Sequence, residues 1–319
     1  MFIVTGGAGF IGSNIVKALN QRGATDILAV DDLTDGKKFA NLLGAEISDY
    51  LDKDEFRRRV RNGQDFGAVD AVLHQGACSV TTEWNGRYMM DNNYEYSKEL
   101  LAYCEAKRIP LVYASSAAVY GTRGDFREDT DIQRPVNVYG YSKWLFDRYV
   151  AAQRPSVPVT GLRYFNVYGP GEAHKGSMAS VVWHAHRQIA ETGEVTLFEG
   201  SHGFGPGEQR RDFVHVGDVA AVNLWFLDRP VRGVFNVGTG RSRSFNDLAR
   251  AVIAWTGAGR IRYVPFPEHL KDSYQAYTEA NLDRLRRAGC THAFRPLEDG
   301  VPLTLDAIAH GNSSCASSW

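Results

Sequence analysis

Tyr139-Gly140-Tyr141-Ser142-Lys143 sets a phenol and an ammonium four residues apart. On a helix such positions point the same way, so Lys143 stands one turn beyond Tyr139. A free tyrosine has a pKa of about 10 and is a poor base at neutral pH; a nearby ammonium lowers that value. The pair therefore suits proton exchange with a substrate hydroxyl, and the lysine also reaches toward a nicotinamide ribose. Upstream, Tyr113-Ala114-Ser115-Ser116 ends an apolar run with two hydroxyls. Ser116 is placed to hydrogen-bond the oxygen whose proton Tyr139 removes. Tyr141 lies two residues before Lys143 and faces another side of the helix. Tyr-x-x-x-Lys is common on exposed helices, so its meaning depends on what precedes it.

A dinucleotide turn precedes it. Phe2–Thr5 is a short apolar run, followed by Gly6, Gly9 and Gly12; then Ile11, Ile15, Val16 and Leu19 repeat with helical period. This is strand, tight turn and helix. Free N–H groups and the helix dipole at the turn attract a pyrophosphate. Asp31 and Asp32 lie about 20 residues beyond the glycines, where such a fold offers a carboxylate to an adenosine ribose. These carboxylates favour a free 2′-hydroxyl, hence NAD. Lys37 and Lys38 follow closely and could neutralise the 2′-phosphate of NADP.

Strands are expected at Phe2–Thr5, Ile27–Asp31, Ala71–His74, Leu111–Ala114 and Val157–Leu162. Helices are expected at Phe10–Arg22, Asn92–Lys107 and Asn137–Gln153. The alternation predicts an α/β fold, a Rossmann-type doubly wound parallel sheet, with ligands beyond the carboxyl ends of the strands. Past residue 166 the pattern loosens. Asn166–Gly176 reads as a polar loop, and His202–Arg211, with Gly203, Gly205, Pro206 and Gly207, as a mobile one. Val214 begins a helix running to Leu227, and Val234–Val237 is a returning core strand. The predicted division is a dinucleotide-binding domain (1–165 with about 212–240) and a smaller C-terminal substrate lobe (166–211 with about 241–310). The serine-rich tail, 311–319, is expected to be disordered.

Composition narrows the function classes. The 319 residues are 44% hydrophobic and 23% charged, with a formal net charge of −1. No basic field suggests nucleic acid. No apolar run is long enough to span a bilayer, and no basic leader precedes the first strand, so a cytoplasmic protein is expected. Cys78, Cys104, Cys290 and Cys315 have no CxxC neighbour and read as free thiols. His184 and His186 fall in an apolar helical segment without a third ligand, so no metal site is expected.

Together, Thr5-Gly6-Gly7-Ala8-Gly9-Phe10-Ile11-Gly12, Ala114-Ser115-Ser116, Tyr139-x-x-x-Lys143 and Arg163-Tyr164-Phe165-Asn166-Val167-Tyr168-Gly169-Pro170 resemble the extended short-chain dehydrogenase/reductase family of nucleotide-sugar enzymes. The resemblance covers nearly the whole chain. Longer strings, among them Gly76-Ala77-Cys78-Ser79, Thr81-Thr82-Glu83-Trp84, His174-Lys175-Gly176-Ser177-Met178 and Phe198-Glu199-Gly200-Ser201, resemble its heptose-epimerase branch. The resemblance implies catalytic roles for Tyr139, Lys143 and Ser116, and a second acid/base at Lys175. It implies cofactor contacts at Gly6, Gly9, Phe10, Ile11, Gly12, Asp31, Asp32, Lys38, Lys53, Gln75 to Ser79, Asn92, Tyr139, Lys143 and Val167. Substrate contacts are implied at Asn166, Ser177, His184, Phe198 to Ser201, Arg211 and Tyr274. It further implies NADP, with Lys38 at the phosphate, an ADP-heptose substrate, and a homo-oligomer of pentameric form. Two departures stand out: the loop His202–Gln209 is longer and richer in glycine than the family pattern, and Gln75 replaces a familiar acidic residue.

The implied reaction inverts a hydroxyl-bearing carbon on a sugar side chain. No carbonyl adjoins that carbon, so its hydrogen is not acidic, and transient oxidation to a ketone is the available route. Re-reduction on the opposite face requires the ketone to turn over, which carries its oxygen away from the first base. A second acid/base is then needed where the oxygen arrives, and Tyr139 and Lys175 form the pair. A related UDP-sugar epimerase is the alternative reading. A dehydratase would want an acid beside Ser116, where Ala117 and Ala118 stand, and a cofactor sensor would have no need of an intact Ser116, Tyr139 and Lys143.

Overall fold

β1 (Phe2–Thr5) is buried after its first residue and feeds the glycine turn and α1 (Phe10–Gln21). β2 (Ile27–Asp31) is buried at every position, as a strand covered by helices on both faces must be. β3 (Asp49–Asp52), α2 (Lys53–Arg61) and β4 (Ala71–His74) follow. The short α3 (Gly86–Met90) runs through a π turn at Asp91–Glu95 into α4 (Tyr96–Lys107). β5 (Leu111–Ser116), α5 (Val138–Gln153) and β6 (Val159–Tyr164) complete the central run. Beyond lie β7 (Asn166–Tyr168), α6 (Val181–Thr192), β8 (Glu194–Phe198), β9 (Arg210–Arg211) and β10 (Phe213–His215). The chain ends with α7 (Val216–Asp228), β11 (Gly233–Val237), β12 (Arg243–Ser244), α8 (Phe245–Thr256), β13 (Arg260–Val264), α9 (Asp283–Arg287) and α10 (Leu297–Ala309). This computed structural model describes residues 1–310 apart from 123, 129–132, 269–270 and 272–273; the expected disordered tail lies outside the described residues.

Seven strands form one parallel sheet in the order β11-β6-β5-β4-β1-β2-β3. The chain runs outward from β1 to β3, then returns to β4 on the other side of β1. Such a reversal opens a crevice at the carboxyl ends of the two middle strands. On one face, Ile15, Val16 and Leu19 of α1 pack with Val219, Val222 and Phe226 of α7. On the other, Phe56, Leu100, Cys104 and Phe146 from α2, α4 and α5 cover the sheet. A separate core joins α6, β8, α8 and α10 through Val182, Leu197, Leu248 and Leu305.

Three expectations need correction. Asn166–Tyr168 is a strand paired in parallel with Phe213–His215, so the helix begins at Val216 instead of Val214. The imidazole of His215 accepts from the Gly217 N–H and caps that helix, which is why the strand stops there. The loop expected to be mobile is stitched at both ends. Gly207 N–H donates to Phe198 O at 2.9 Å, the Gln209 amide donates to Glu199 O and Ser201 Oγ, and Arg210–Arg211 pair antiparallel with β12. Its glycines serve close approach: a Cβ on Gly207 would stand 2.3 Å from Asn246 Oδ1.

Candidate active site

A cleft of about 690 Å³ opens at the crevice, a size suited to a bound small molecule. The glycine turn forms its floor. Gly6 has φ +67°, and a Cβ on Gly12 would stand 2.0 Å from Gly6 O, so the turn and α1 touch with no room for side chains. Gly9 precedes α1 without a side-chain cap. The first N–H groups of α1 therefore remain available to an anion, which fits a dinucleotide pyrophosphate. Phe10, Ile11 and Gly12 line this end, with Gln75 to Ser79 across from them after β4.

At the far end Asp31 accepts from Ala8 N–H at 2.8 Å, Asp32 N–H at 2.7 Å and Lys38 Nζ at 2.5 Å. Lys53 Nζ lies 3.7 Å from Asp32 and donates to Asn92 Oδ1. Each carboxylate thus has its own lysine. Gln75 joins a neutral network, accepting from the Tyr164 hydroxyl and donating to Asn223.

Helix α5 begins with Asn137 accepting from Gly140 N–H and carries Tyr139 and Lys143 into the cleft one turn apart. Lys143 Nζ donates to Ala114 O at 2.9 Å, and Ser116, at the end of β5, lines the cleft with Tyr139. One turn on, buried Asp147 accepts from Tyr113, Ser115 and Arg163, each at 2.9 Å, which pins α5 to β5 and β6. Asn93, in the π turn, donates to Ser142 Oγ and to Cys78 O while accepting from Cys78 N–H. The same side chain therefore registers α5 against the loop after β4; π turns often mark such sites. Tyr141 points outward, its ring tilted against Trp144 with centroids 5.6 Å apart.

Burial pushes Tyr139 above the ordinary tyrosine value, and the Ser116 hydrogen bond offsets this only in part. The expectation that Lys143 would lower it is corrected: desolvation wins and leaves a neutral phenol. Burial also brings Lys143 down to about 8, against the opposing pull of Asp147. Lys175 sits on the 3₁₀ turn Ala173–Met178, with its Nζ 5.1 Å from the Phe10 ring. Burial lowers its pKa, and Glu172 pulls the other way. Glu172 itself is fixed by Ser180 N–H and Oγ, both at 2.6 Å.

A profile of the NAD dependent epimerase/dehydratase family matches residues 2–238. The chain belongs to that family. It is 58% identical over 312 residues to the ADP-L-glycero-D-manno-heptose-6-epimerase of Alkalilimnicola ehrlichii, covering 97% of this chain and 98% of that one. Among solved structures, the Helicobacter pylori ADP-L-glycero-D-manno-heptose-6-epimerase superposes with a TM-score of 0.84 at 30% identity, covering 97% of this chain and 96% of that one. The Thermus thermophilus UDP-glucose 4-epimerase in complex with NAD gives 0.79 at 28% identity, covering 98% and 99%.

In this epimerase/dehydratase family member the cleft gathers most of the anticipated residues. Those of the glycine turn, Asp31, Asp32, Lys38, Lys53, Gln75 to Ser79, Asn92, Ser116, Tyr139, Lys143, Asn166, Val167 and Lys175 all line it. Ser177, His184, Phe198 to Ser201, Arg211 and Tyr274 do not. His184 sits on α6, one turn past Ser180, which does line the cleft. Arg211 and Tyr274 form an adjoining group, with the guanidinium 4.8 Å from the Tyr274 ring and Phe266 packed beside it. It meets the cleft through Phe213 and Gln275. Arg211 is buried and makes no ion pair among the described residues, and burial lowers its pKa. A buried cation without a counter-ion is costly. His174, Met178 and Gln275 also line the cleft, and the sequence motifs that contain His174 and Met178 gave neither a role.

Proposed function

We propose that the protein is an ADP-L-glycero-D-manno-heptose 6-epimerase, inverting C6 of the heptose through a transient ketone. The carrying observation is that Tyr139 on α5 and Lys175 on the turn after β7 face one cleft whose floor is a dinucleotide turn. Nicotinamide, when bound, supplies the reversible hydride acceptor. The rest is done by side chains. Tyr139, held as a phenol beside Ser116, is ready to donate to a ketone oxygen and to reclaim a proton from the alcohol. Lys143, tied to Ala114 O, orients the nicotinamide ribose. Lys175, its pKa lowered by burial, is the acid/base group where the oxygen lies after the ketone turns over.

The finer assignments belong to the same reading. Ser177, His184, Phe198 to Ser201, Arg211, Tyr274 and Asn166 hold the ADP-sugar, with Arg211 on its diphosphate. Lys38 and Lys53, beside Asp31 and Asp32, favour NADP over NAD, because two lysines leave room for a 2′-phosphate that two free carboxylates would repel. Residues 1–165 with 212–240 serve the cofactor, and 166–211 with 241–310 serve the sugar. A cytoplasmic homo-oligomer feeding lipopolysaccharide core synthesis completes the picture. No helix among the described residues is long and apolar enough to cross a membrane, and they contain no cluster of metal ligands.

Turnover tests the substrate class. ADP-D-glycero-D-manno-heptose should be epimerised at least about 100-fold faster, in kcat/KM, than UDP-glucose. A factor of that size corresponds to about 3 kcal/mol of differential transition-state binding. Comparable rates would favour the UDP-sugar alternative.

A further inference from the structure

The loop that carries Lys175 is sewn to the glycine turn from two directions. Asn14 of α1 donates to both Phe10 O and Pro170 O. Asn41, buried on the 3₁₀ turn Gly36–Leu42 that also carries Lys38, donates to Ala8 O at 3.0 Å and Gly171 O at 2.9 Å. Two carbonyl acceptors fix which end of the Asn41 amide faces inward, because a flipped amide would set oxygen against oxygen. The same nitrogen faces His174 Nδ1 at 3.2 Å. The amide has only two hydrogens for these three neighbours, and an N–H on Nδ1 would oppose them, so Nδ1 presents its lone pair and the neutral imidazole carries its proton on Nε2. Nε2 has no hydrogen-bond partner among the described residues, and His174 lines the cleft that holds the glycine turn. Lys38 and Lys175 flank the ring with positive charge, opposed by Asp31 and Asp35.

We propose that His174 is a further cofactor-binding residue, its Nε2–H donating to a phosphate oxygen of the bound dinucleotide, with Asn41 as the positioning residue that fixes the tautomer. The inference rests on the dinucleotide reading of the cleft. It gives a reason for the Asn41 contacts with two other segments: its own Lys38 segment is brought into one register with the turn and the Lys175 loop around the cofactor phosphates.

The test is calorimetric titration of the full chain and of His174→Ala with NADP⁺ and NAD⁺. A hydrogen bond to a charged phosphate predicts about ten-fold or greater weakening in the variant. Loss shared by both dinucleotides assigns the pyrophosphate; loss confined to NADP⁺ assigns the 2′-phosphate. Unchanged affinity for both overturns the inference while leaving the cofactor reading intact, whereas failure of the unsubstituted protein to bind either dinucleotide overturns both. A second readout needs no variant. Long-range ¹⁵N–¹H spectra of the full chain should show His174 as the Nε2–H tautomer, with that proton shifting when NADP⁺ is added. An Nδ1–H tautomer contradicts the proposal.

Discussion

Replacing Tyr139 with Phe, or Lys175 with Met, is expected to slow interconversion of the two heptose epimers by about 10²–10⁴-fold, the usual loss when a positioned acid/base group is removed. Both variants should still bind the dinucleotide, because neither side chain builds the glycine turn. Phe keeps the ring that fills the space beside Ser116 and removes only the hydroxyl. Met keeps an unbranched side chain of similar length and removes the ammonium that faces Phe10. Each substitution removes the group needed at one end of the ketone's rotation, so each blocks conversion in both directions. The two losses should also fail to add, since a reaction halted at one end gains nothing from the other. Rates measured from both epimers decide this; a Lys175→Met protein with near-native epimerisation would leave Tyr139 as the sole acid/base and end the two-residue scheme.

The second large effect concerns stability. Asp147→Ala should destabilise the fold by about 3–5 kcal/mol, because it leaves the Arg163 guanidinium buried without its carboxylate. The two groups are 2.9 Å apart, with each side chain only 1% exposed. Asp147 also accepts from Tyr113 and Ser115, so the substitution orphans two further hydroxyls in the same place. Urea titration should show a lower midpoint with an unchanged slope. The consequence for the site follows from geometry: Asp147 lies one turn beyond Lys143, and loosening α5 from β5 misplaces Tyr139 and Lys143 together. Replacing Asp147 and Arg163 jointly with apolar residues of similar volume should recover much of the stability, since the buried charge is then gone.

What the sequence made legible follows from periodicity. β1, β2 and β4 appear at the expected residues because each is a continuous apolar run between breakers. β3 and α2 escaped notice for the opposite reason. Asp-Tyr-Leu-Asp is a half-exposed edge strand, and α2 shows only Phe56 and Val60 among charged neighbours, held by Glu55 with Arg58 and Arg59. The π turn at Asp91–Glu95 breaks the 3.6 period, so α4 starts at Tyr96 instead of at Asn92. Helical spacing placed Tyr139 with Lys143, and the end of a predicted strand placed Ser116 near them. The direction of the Tyr139 pKa was not legible, since it depends on burial from elements distant in the chain. Arg211 shows the same limit: an arginine in a two-residue strand reads as ordinary surface charge until folding buries it beside Tyr274.

The central claim is that the hydrogen at the inverted carbon never becomes exchangeable with water. Epimerisation run to equilibrium in deuterium oxide, with the product analysed by mass spectrometry and NMR at C6, tests it directly. The product should carry essentially no deuterium at C6, because the hydrogen leaves and returns as hydride within the cleft. Substantial deuterium at that carbon would mean it departed as a proton, and would contradict the account.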